Sequence, residues 1–276
     1  MKTSVQFRVH IYHNRFIPSA ELYTPSIELF CPTSVGDSID RTDETRLLRW
    51  AVRQPEILSL LLGSLGMAGP VGFDVEVTSP FLPRHGAGDI DLLAAPVRNP
   101  QEAVAIQAKR FKVTLGDSGD SVSLDAAKLD TLIRQCNDTI ALGFDRVYGL
   151  VLIMMDGQTH PAPSLPHRRT SPATFRRLYH FLKSQTLAPG IGLAFMEIVQ
   201  PTPAGFHELG FVAVGVDEPA NHKGQSGEVS ARVEKWTDKV LRKRKHCEVY
   251  LPPPSDAGIP IQPHESVGLR LVRRSE

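Results

Sequence analysis

The chain has 276 residues, of which 41% are hydrophobic and 22% are charged, and its formal net charge is +1 at pH 7. A chain of this length and composition can bury a sizeable core, as one elaborated domain or as a core with an added subdomain. Three cysteines that are far apart and lack paired spacing, Cys31, Cys136 and Cys247, argue against a disulfide framework and against a zinc site.

No basic, apolar leader opens the sequence, and the apolar run Tyr148–Met155 is too short to cross a bilayer. We therefore expect a cytoplasmic protein with no membrane partner. Residues 1–41 begin with an alternating strand that includes Val5 and Val9, and Pro-punctuated segments follow it. This part is predicted to be a strand-rich extension, and no chemistry is assigned to it.

Two helix patterns follow, and each carries an acid near its start: Glu44 in TDETRLLRWAV and Glu56 in PEILSLLLGSL. A strand is predicted over Val71–Val77, and a loop rich in glycine and proline then leads to Gly88.

The next two strands carry the polar residues that suggest a function. In GDIDLL, Asp89 and Asp91 alternate with apolar residues, and in AVAIQAKRFKV the polar residues Gln107 and Lys109 alternate with apolar ones. Alternate side chains of a strand share a face. If the two strands pair, Asp91, Gln107 and Lys109 therefore converge on one ion and one attacking water.

These residue types suit metal-assisted phosphodiester hydrolysis. Mg²⁺ prefers oxygen ligands and keeps several waters, so one or two carboxylates and a carbonyl oxygen suffice. The Lys109 ammonium can orient the water or stabilise developing negative charge. Because Gln107 supplies only a carbonyl dipole, we expect weaker metal binding than a Glu would give, unless another acid contributes.

This arrangement resembles the PD-(D/E)xK nuclease superfamily, and most closely its Mrr-like restriction endonucleases, from about Glu56 to Leu132. The resemblance implies that Asp91 is a metal ligand, that Gln107 holds the second ligand position and that Lys109 is the catalytic lysine. Members commonly add a Glu from the helix before the first core strand. We prefer Glu56, which follows Pro55 at a helix start, and Glu44 is the alternative.

The elements after the second strand alternate between helix and strand. A buried stripe predicts an amphipathic helix over Ser123–Leu142, and the unbroken apolar run Val147–Met155 predicts a central strand covered on both faces. The turn-like GDSGD sequence at residues 116–120 is assigned to a flexible turn. After a Pro-rich connector the sequence predicts helices and sheet-extending strands over Thr174–Gln185, Ile191–Val199, Leu209–Val216 and Glu228–Lys245.

The predicted fold is α/β, a restriction-endonuclease-like mixed central sheet flanked by helices, with N- and C-terminal elaborations. Its parts are the extension 1–41, a nuclease-like core with sheet extension at 42–216, and a basic helix with a Pro-rich tail at 217–276.

Local charge is more informative than the net charge of the chain. Residues 157–195 contain no Asp or Glu, and a second basic cluster ends the last helix. Basic runs are often simply solvated, but beside a nuclease motif we expect phosphate contacts from Arg168, Arg169, Arg176, Arg177, Arg242, Lys243 and Arg244.

The sequence thus predicts a Mg²⁺- or Mn²⁺-dependent DNA endonuclease, with a setting in restriction or anti-phage defence. RNA is not excluded as a substrate, and a homodimer or a protein partner stays open. The alternatives are a catalytically silent nuclease-fold module that binds nucleic acid or a protein, and an unrelated α/β protein with a chance match.

Overall fold

The structure is a computed structural model that describes residues 4–12, 21–23, 27–30, 42–78, 89–116, 119–123, 126–156, 172–184, 187–200, 210–222 and 224–249. The helices in these ranges are α1 (Glu44–Val52), α2 (Pro55–Ser64), α3 (Ala126–Ala141), α4 (Pro172–Ser184) and α5 (Gly227–Arg242). The strands are β1 (Ser4–Tyr12), β2 (Glu21–Tyr23), β3 (Ile27–Phe30), β4 (Gly69–Val77), β5 (Ile90–Pro96), β6 (Val104–Gly116), β7 (Gly119–Ser123), β8 (Arg146–Asp156), β9 (Gly192–Gln200), β10 (Gly210–Glu218) and β11 (His246–Val249).

The strands form one mixed sheet in the order β11-β4-β5-β6-β8-β9-β10-β1-β2. Outside this order, β3 pairs with β1, and β7 pairs with β6. The neighbours β6/β8, β8/β9 and β1/β10 are parallel. The pairs β4/β5 and β5/β6 are antiparallel, as short connections between consecutive strands allow.

Helices cover both faces of this sheet. Along β8, Leu150 and Leu152 join the core that contains α1 and α2, whereas Val151 and Ile153 join the core that contains α3 and α5. The apolar run of β8 follows from this double burial. Helix α2 contacts both β10 and β11, which lie far apart in strand order, so the sheet curls around it.

The structure confirms the predicted α/β class with a mixed central sheet and flanking helices. The predicted elements from α3 to α5 are present, with ends shifted by a few residues. The division into 1–41, 42–216 and 217–276 stays a prediction, although β1 lies in the same sheet as β10. Among the described helices, none has the length and apolar character needed to span a membrane.

Two short strands correct the sequence interpretation. Asp120, which was assigned to a flexible turn, lies in β7 and pairs with Leu115. Helix α5 ends at Arg242 rather than at Lys245, and β11 follows it immediately. Of the three cysteines, Cys136 and Cys247 are free thiols, and Cys31 lies outside the described residues.

Candidate active site

Strands β5 and β6 pair side by side, as the sequence interpretation required. Their described ladder joins Leu92 to Ile106 and runs from there toward the other ends of the strands, to Ala94 and Val104. Beyond Ile106, β6 continues beside β8 as far as Phe111. The polar residues Asp91, Gln107 and Lys109 therefore lie where the β5/β6 ladder ends.

Where the ladder ends, the Asp91 side chain, rather than a backbone carbonyl of β5, accepts a hydrogen bond from β6. The Ala108 N–H donates to Asp91 Oδ2 over 2.7 Å. Burial raises the pKa of Asp91 from 3.8 to about 6, although the Ala108 hydrogen bond and the nearby Lys109 charge lower it, and the charges of Glu44 and Asp89 raise it. A carboxyl group held in this environment binds protons more readily than an ordinary aspartate, which is a common property of functional sites.

Helix α1 brings an acid to the lysine. Asp43 caps α1 by accepting from the Arg46 N–H, so Glu44 is the first helical residue. Lys109 Nζ donates to Glu44 Oε1 over 2.8 Å, and its side chain is only 11% exposed. The next residue of β6, Arg110, donates to the Thr42 carbonyl oxygen over 2.6 Å. Two consecutive residues of β6 thus fix the N-terminus of α1 beside Asp91.

Glu44 and Asp91 line a small surface pocket, which we call the Asp91 pocket, and Lys109 and Gln107 lie next to it without lining it. The pocket is lined by Glu44, Thr45, Leu48, Val75, Glu76, Asp91 and Ala108. Within the described ranges, no three His, Cys, Asp or Glu side chains lie close enough together to hold a metal ion. An ion here would need the amide oxygen of Gln107 or waters to complete its ligands.

Gln107 is buried beside the pocket and keeps one polar atom unsatisfied. Its Nε2 donates to Thr139 Oγ1 of α3 over 3.0 Å and to the Asp89 carbonyl oxygen over 3.3 Å. Its Oε1 is buried without a hydrogen-bond partner among the described residues. A buried oxygen of this kind costs free energy unless water or a cation satisfies it.

The structure brings together Asp91, Lys109 and Glu44, with Gln107 adjacent. Glu56 lies in the first turn of α2 and is partly buried, but it does not line the Asp91 pocket. Of the two acids weighed from the sequence, the alternative Glu44 thus takes the position beside Lys109. Asp89 is exposed, just before β5.

Sequence reasoning missed Glu76, which lines the same pocket. The β4/β5 ladder joins Val75 to Leu92 and Val77 to Ile90 but omits Glu76, whose φ is +52°. Its carboxylate bonds to the Arg49 guanidinium of α1. The left-handed conformation costs a non-glycine residue about 1–2 kcal/mol, whereas an exposed ion pair contributes about 0–1 kcal/mol. The ion pair alone therefore does not offset this strain.

The predicted nucleic-acid contacts are only partly described. Arg177 of α4 is exposed, as are Arg242, Lys243 and Arg244 at the end of α5. Arg168, Arg169 and the side chain of Arg176 lie outside the described residues. The phosphate contacts of the exposed residues stay a prediction.

No family model matches the chain, and no curated protein matches it. Among solved structures, SfsA of Pyrococcus furiosus in complex with Ca²⁺ is similar at 13% identity and a TM-score of 0.29, over 80% of this chain and 97% of SfsA.

Proposed function

We propose that this protein is a phosphodiesterase that cleaves DNA with the help of Mg²⁺ or Mn²⁺. The observation that supports this most directly is the meeting of Asp91, Glu44 and Lys109 at the end of the β5/β6 ladder. Two carboxylates and one buried ammonium beside a small surface pocket are the side chains that metal-assisted hydrolysis uses.

The donor set fits a hard divalent cation. Asp91 and Glu44 offer carboxylate oxygens, and Gln107 Oε1 is a buried oxygen that needs a partner. Mg²⁺ and Mn²⁺ take such oxygens and keep several waters. In this proposal Glu44 takes the helix position for which Glu56 was the first choice, and Glu56 stays a prediction. A bound ion would supply a water of lowered pKa and neutralise charge on the phosphate.

Lys109 acts on the phosphate rather than on the ion. Its ammonium is held by Glu44 and is almost fully shielded from water, so its charge acts over a short distance with little screening. It stabilises negative charge that builds on the phosphate oxygens. Glu44 fixes the lysine in place, and the Ala108 N–H fixes Asp91 opposite it.

The basic residues would contribute affinity for DNA of any base sequence, because lysine and arginine contacts to phosphates do not read the bases. We assign this role to Arg177, Arg242, Lys243 and Arg244, and also to Arg168, Arg169 and Arg176. A setting in restriction or anti-phage defence, a homodimer and a preference for DNA over RNA stay predictions.

A catalytically silent module that binds nucleic acid or a protein partner is the second candidate, and Gln107 favours it. An amide carries no charge to attract a cation, and Nε2 is already engaged by Thr139 and by Asp89. The two candidates differ in turnover and need not differ in DNA binding.

A plasmid cleavage assay separates them. Purified wild-type protein is incubated with supercoiled plasmid in Mg²⁺, in Mn²⁺ and in EDTA, beside Asp91→Asn and Lys109→Met. The matched controls are Asp130→Asn on α3 and Lys235→Met on α5, both at exposed positions.

Metal-dependent cutting that both site variants lose and both controls keep supports the nuclease. DNA binding without cutting, over several metals and with linear, nicked and single-stranded substrates, supports the silent module instead. Cutting that survives in both site variants would reject the Asp91 pocket as the active site.

A further inference from the structure

Arg49 lies beside the Asp91 pocket without lining it. It belongs to α1, five residues after Glu44, and its side chain is 51% exposed. It bonds to the carboxylate of Glu76, which itself lines the pocket. Lys109, which bonds to the lining residue Glu44, is 11% exposed. Arg49 is thus the more accessible of these two positive charges.

The residue that forms this ion pair, Glu76, also has a strained backbone. A glycine would adopt a φ of +52° without cost, yet the position carries a glutamate whose carboxylate reaches Arg49. Because an exposed ion pair stabilises a fold little, folding does not explain the arrangement. Strain of this kind at a pocket is a reason to look for a role in binding.

A phosphate group suits this position. An arginine fork matches two phosphate oxygens, and a guanidinium held in advance loses less freedom on binding. The pocket carries the acids Glu44, Glu76 and Asp91, which repel a polyanion. The charge of Arg49, held beside the lining residue Glu76, offsets part of that repulsion as the nucleic-acid strand approaches.

We propose that Arg49 binds a backbone phosphate next to the phosphodiester in the Asp91 pocket, and that Glu76 is the positioning residue for its guanidinium. The ligand class is a nucleic-acid phosphodiester. This inference rests on the proposed function, since it assigns a second phosphate site to the same substrate. On binding, the phosphate takes the guanidinium face that points away from Glu76.

The test measures DNA affinity without relying on cleavage. A fluorescein-labelled duplex is titrated with wild-type, Arg49→Ala and Arg49→Lys proteins in EDTA and again in Ca²⁺, over a range of salt concentrations. We expect Arg49→Ala to weaken binding about tenfold and to reduce the slope of log K against log salt by about 0.9. Arg49→Lys keeps the slope because it keeps the charge.

The matched control is Arg232→Ala on α5, where Arg232 pairs with Glu228 at the surface. Variants of Glu76 test the positioning role. Glu76→Gln and Glu76→Gly both keep Arg49, so they keep the salt slope, but they lower kcat because the guanidinium is no longer held. Glu76→Gly melts no lower than the wild type, since glycine relieves the left-handed strain.

An Arg49→Ala slope and affinity equal to those of Arg232→Ala would overturn the inference, even if the protein cuts DNA. If the protein never cuts DNA but Arg49→Ala loses the slope, the phosphate site stands and the nuclease proposal fails. A wild type that neither binds nor cuts DNA overturns both. Glu76 variants with wild-type kcat would remove the positioning role.

Discussion

Replacing Asp91 by Asn should stabilise the metal-free protein while it abolishes metal-dependent cleavage. The pKa of Asp91 is about 6 in the fold against an ordinary value of 3.8, chiefly because the carboxyl group is buried. Asn has the same shape and its oxygen can accept the Ala108 N–H, so the variant removes the charge and keeps the hydrogen bond. An ionised Asp91 therefore costs the folded state free energy that a neutral amide at this position does not.

The raised pKa of Asp91 also determines how the stability difference between the wild type and Asp91→Asn changes with pH. Below pH 3.8 the carboxyl is protonated in both states and carries no penalty, and above pH 6 it is ionised in both. The full penalty of a shift from 3.8 to about 6 is therefore present above pH 6, and at about 1.36 kcal/mol per unit it is about 3 kcal/mol at pH 8. It falls to about 1 kcal/mol at pH 4.5 and vanishes near pH 3. The stabilising effect of Asn should thus grow with pH by about 2 kcal/mol between pH 4.5 and pH 8.

Urea unfolding in EDTA, followed at pH 4.5 and pH 8, measures this difference. The exposed Asp130→Asn on α3 serves as the control, and its effect should not change with pH. Added Mn²⁺ should raise the Tm of the wild type and leave Asp91→Asn unchanged, because only the wild type binds the ion. A free energy difference between wild type and Asp91→Asn that is the same at both pH values would refute the reasoning.

Three further predictions concern neighbouring positions. Glu44→Gln should weaken Mn²⁺ binding at least tenfold in a calorimetric titration, as loss of a ligand does, while Glu56→Gln should not; the reverse result would return the ligand role to Glu56. Gln107→Glu should tighten Mn²⁺ binding and lower the Tm in EDTA, because it buries a charge without a partner; unchanged binding would show that Gln107 Oε1 faces no ion. Arg244→Gly should raise the free energy of unfolding by about 1 kcal/mol and weaken DNA binding; a destabilised variant would contradict the strain at its φ of +56°.

The reason for the last prediction lies in the end of α5. The Lys245 N–H bonds to the Val240 carbonyl and the Arg244 N–H bonds to the Leu241 carbonyl, which together form a Schellman motif. Helix α2 ends in the same way, but there the left-handed position is Gly66. The same motif thus carries glycine in one helix and arginine in the other, so the arginine keeps a positive charge at some cost in stability.

Most of the fold was predictable because apolar periodicity dictates it. Leu129, Leu132 and Cys136 recur at helical spacing and are buried in α3, and the unbroken run of β8 is covered on both faces. Alternation placed the polar residues of β5 and β6 on one face of each strand, whereas the pairing of these two strands was a condition that the structure meets. Short strands such as β7 and β11 were not predictable. The residues of β7 carry turn signals, and β11 follows directly on a basic run, so neither shows an apolar pattern.

The site was predictable only as far as local sequence specifies it. Spacing placed Asp91, Gln107 and Lys109 on two neighbouring strands, but the choice between Glu44 and Glu56 depends on how α1 and α2 pack against the sheet. Helix α2 buries Ile57, Leu58, Ser59, Leu61 and Leu62, and its packing leaves Glu56 away from the pocket. Helix α1 instead presents its N-terminus to Lys109. No sequence period carries that information.

The place of Glu76 in the site was likewise not predictable from the sequence. Alternation predicts an ordinary strand residue at this position. In the structure its neighbours Val75 and Val77 do pair regularly with β5. The left-handed backbone breaks the pattern at the position opposite Asp91, and it brings a carboxylate to α1 that a regular strand would not. A raised pKa at Asp91, an unsatisfied oxygen on Gln107 and a strained Glu76 all cost stability. Asp91 and Glu76 line one pocket, and Gln107 precedes the lining residue Ala108. Substitutions that relieve these costs should therefore gain stability and lose function, whereas substitutions in the well-packed cores of β8 and α3 should gain no stability.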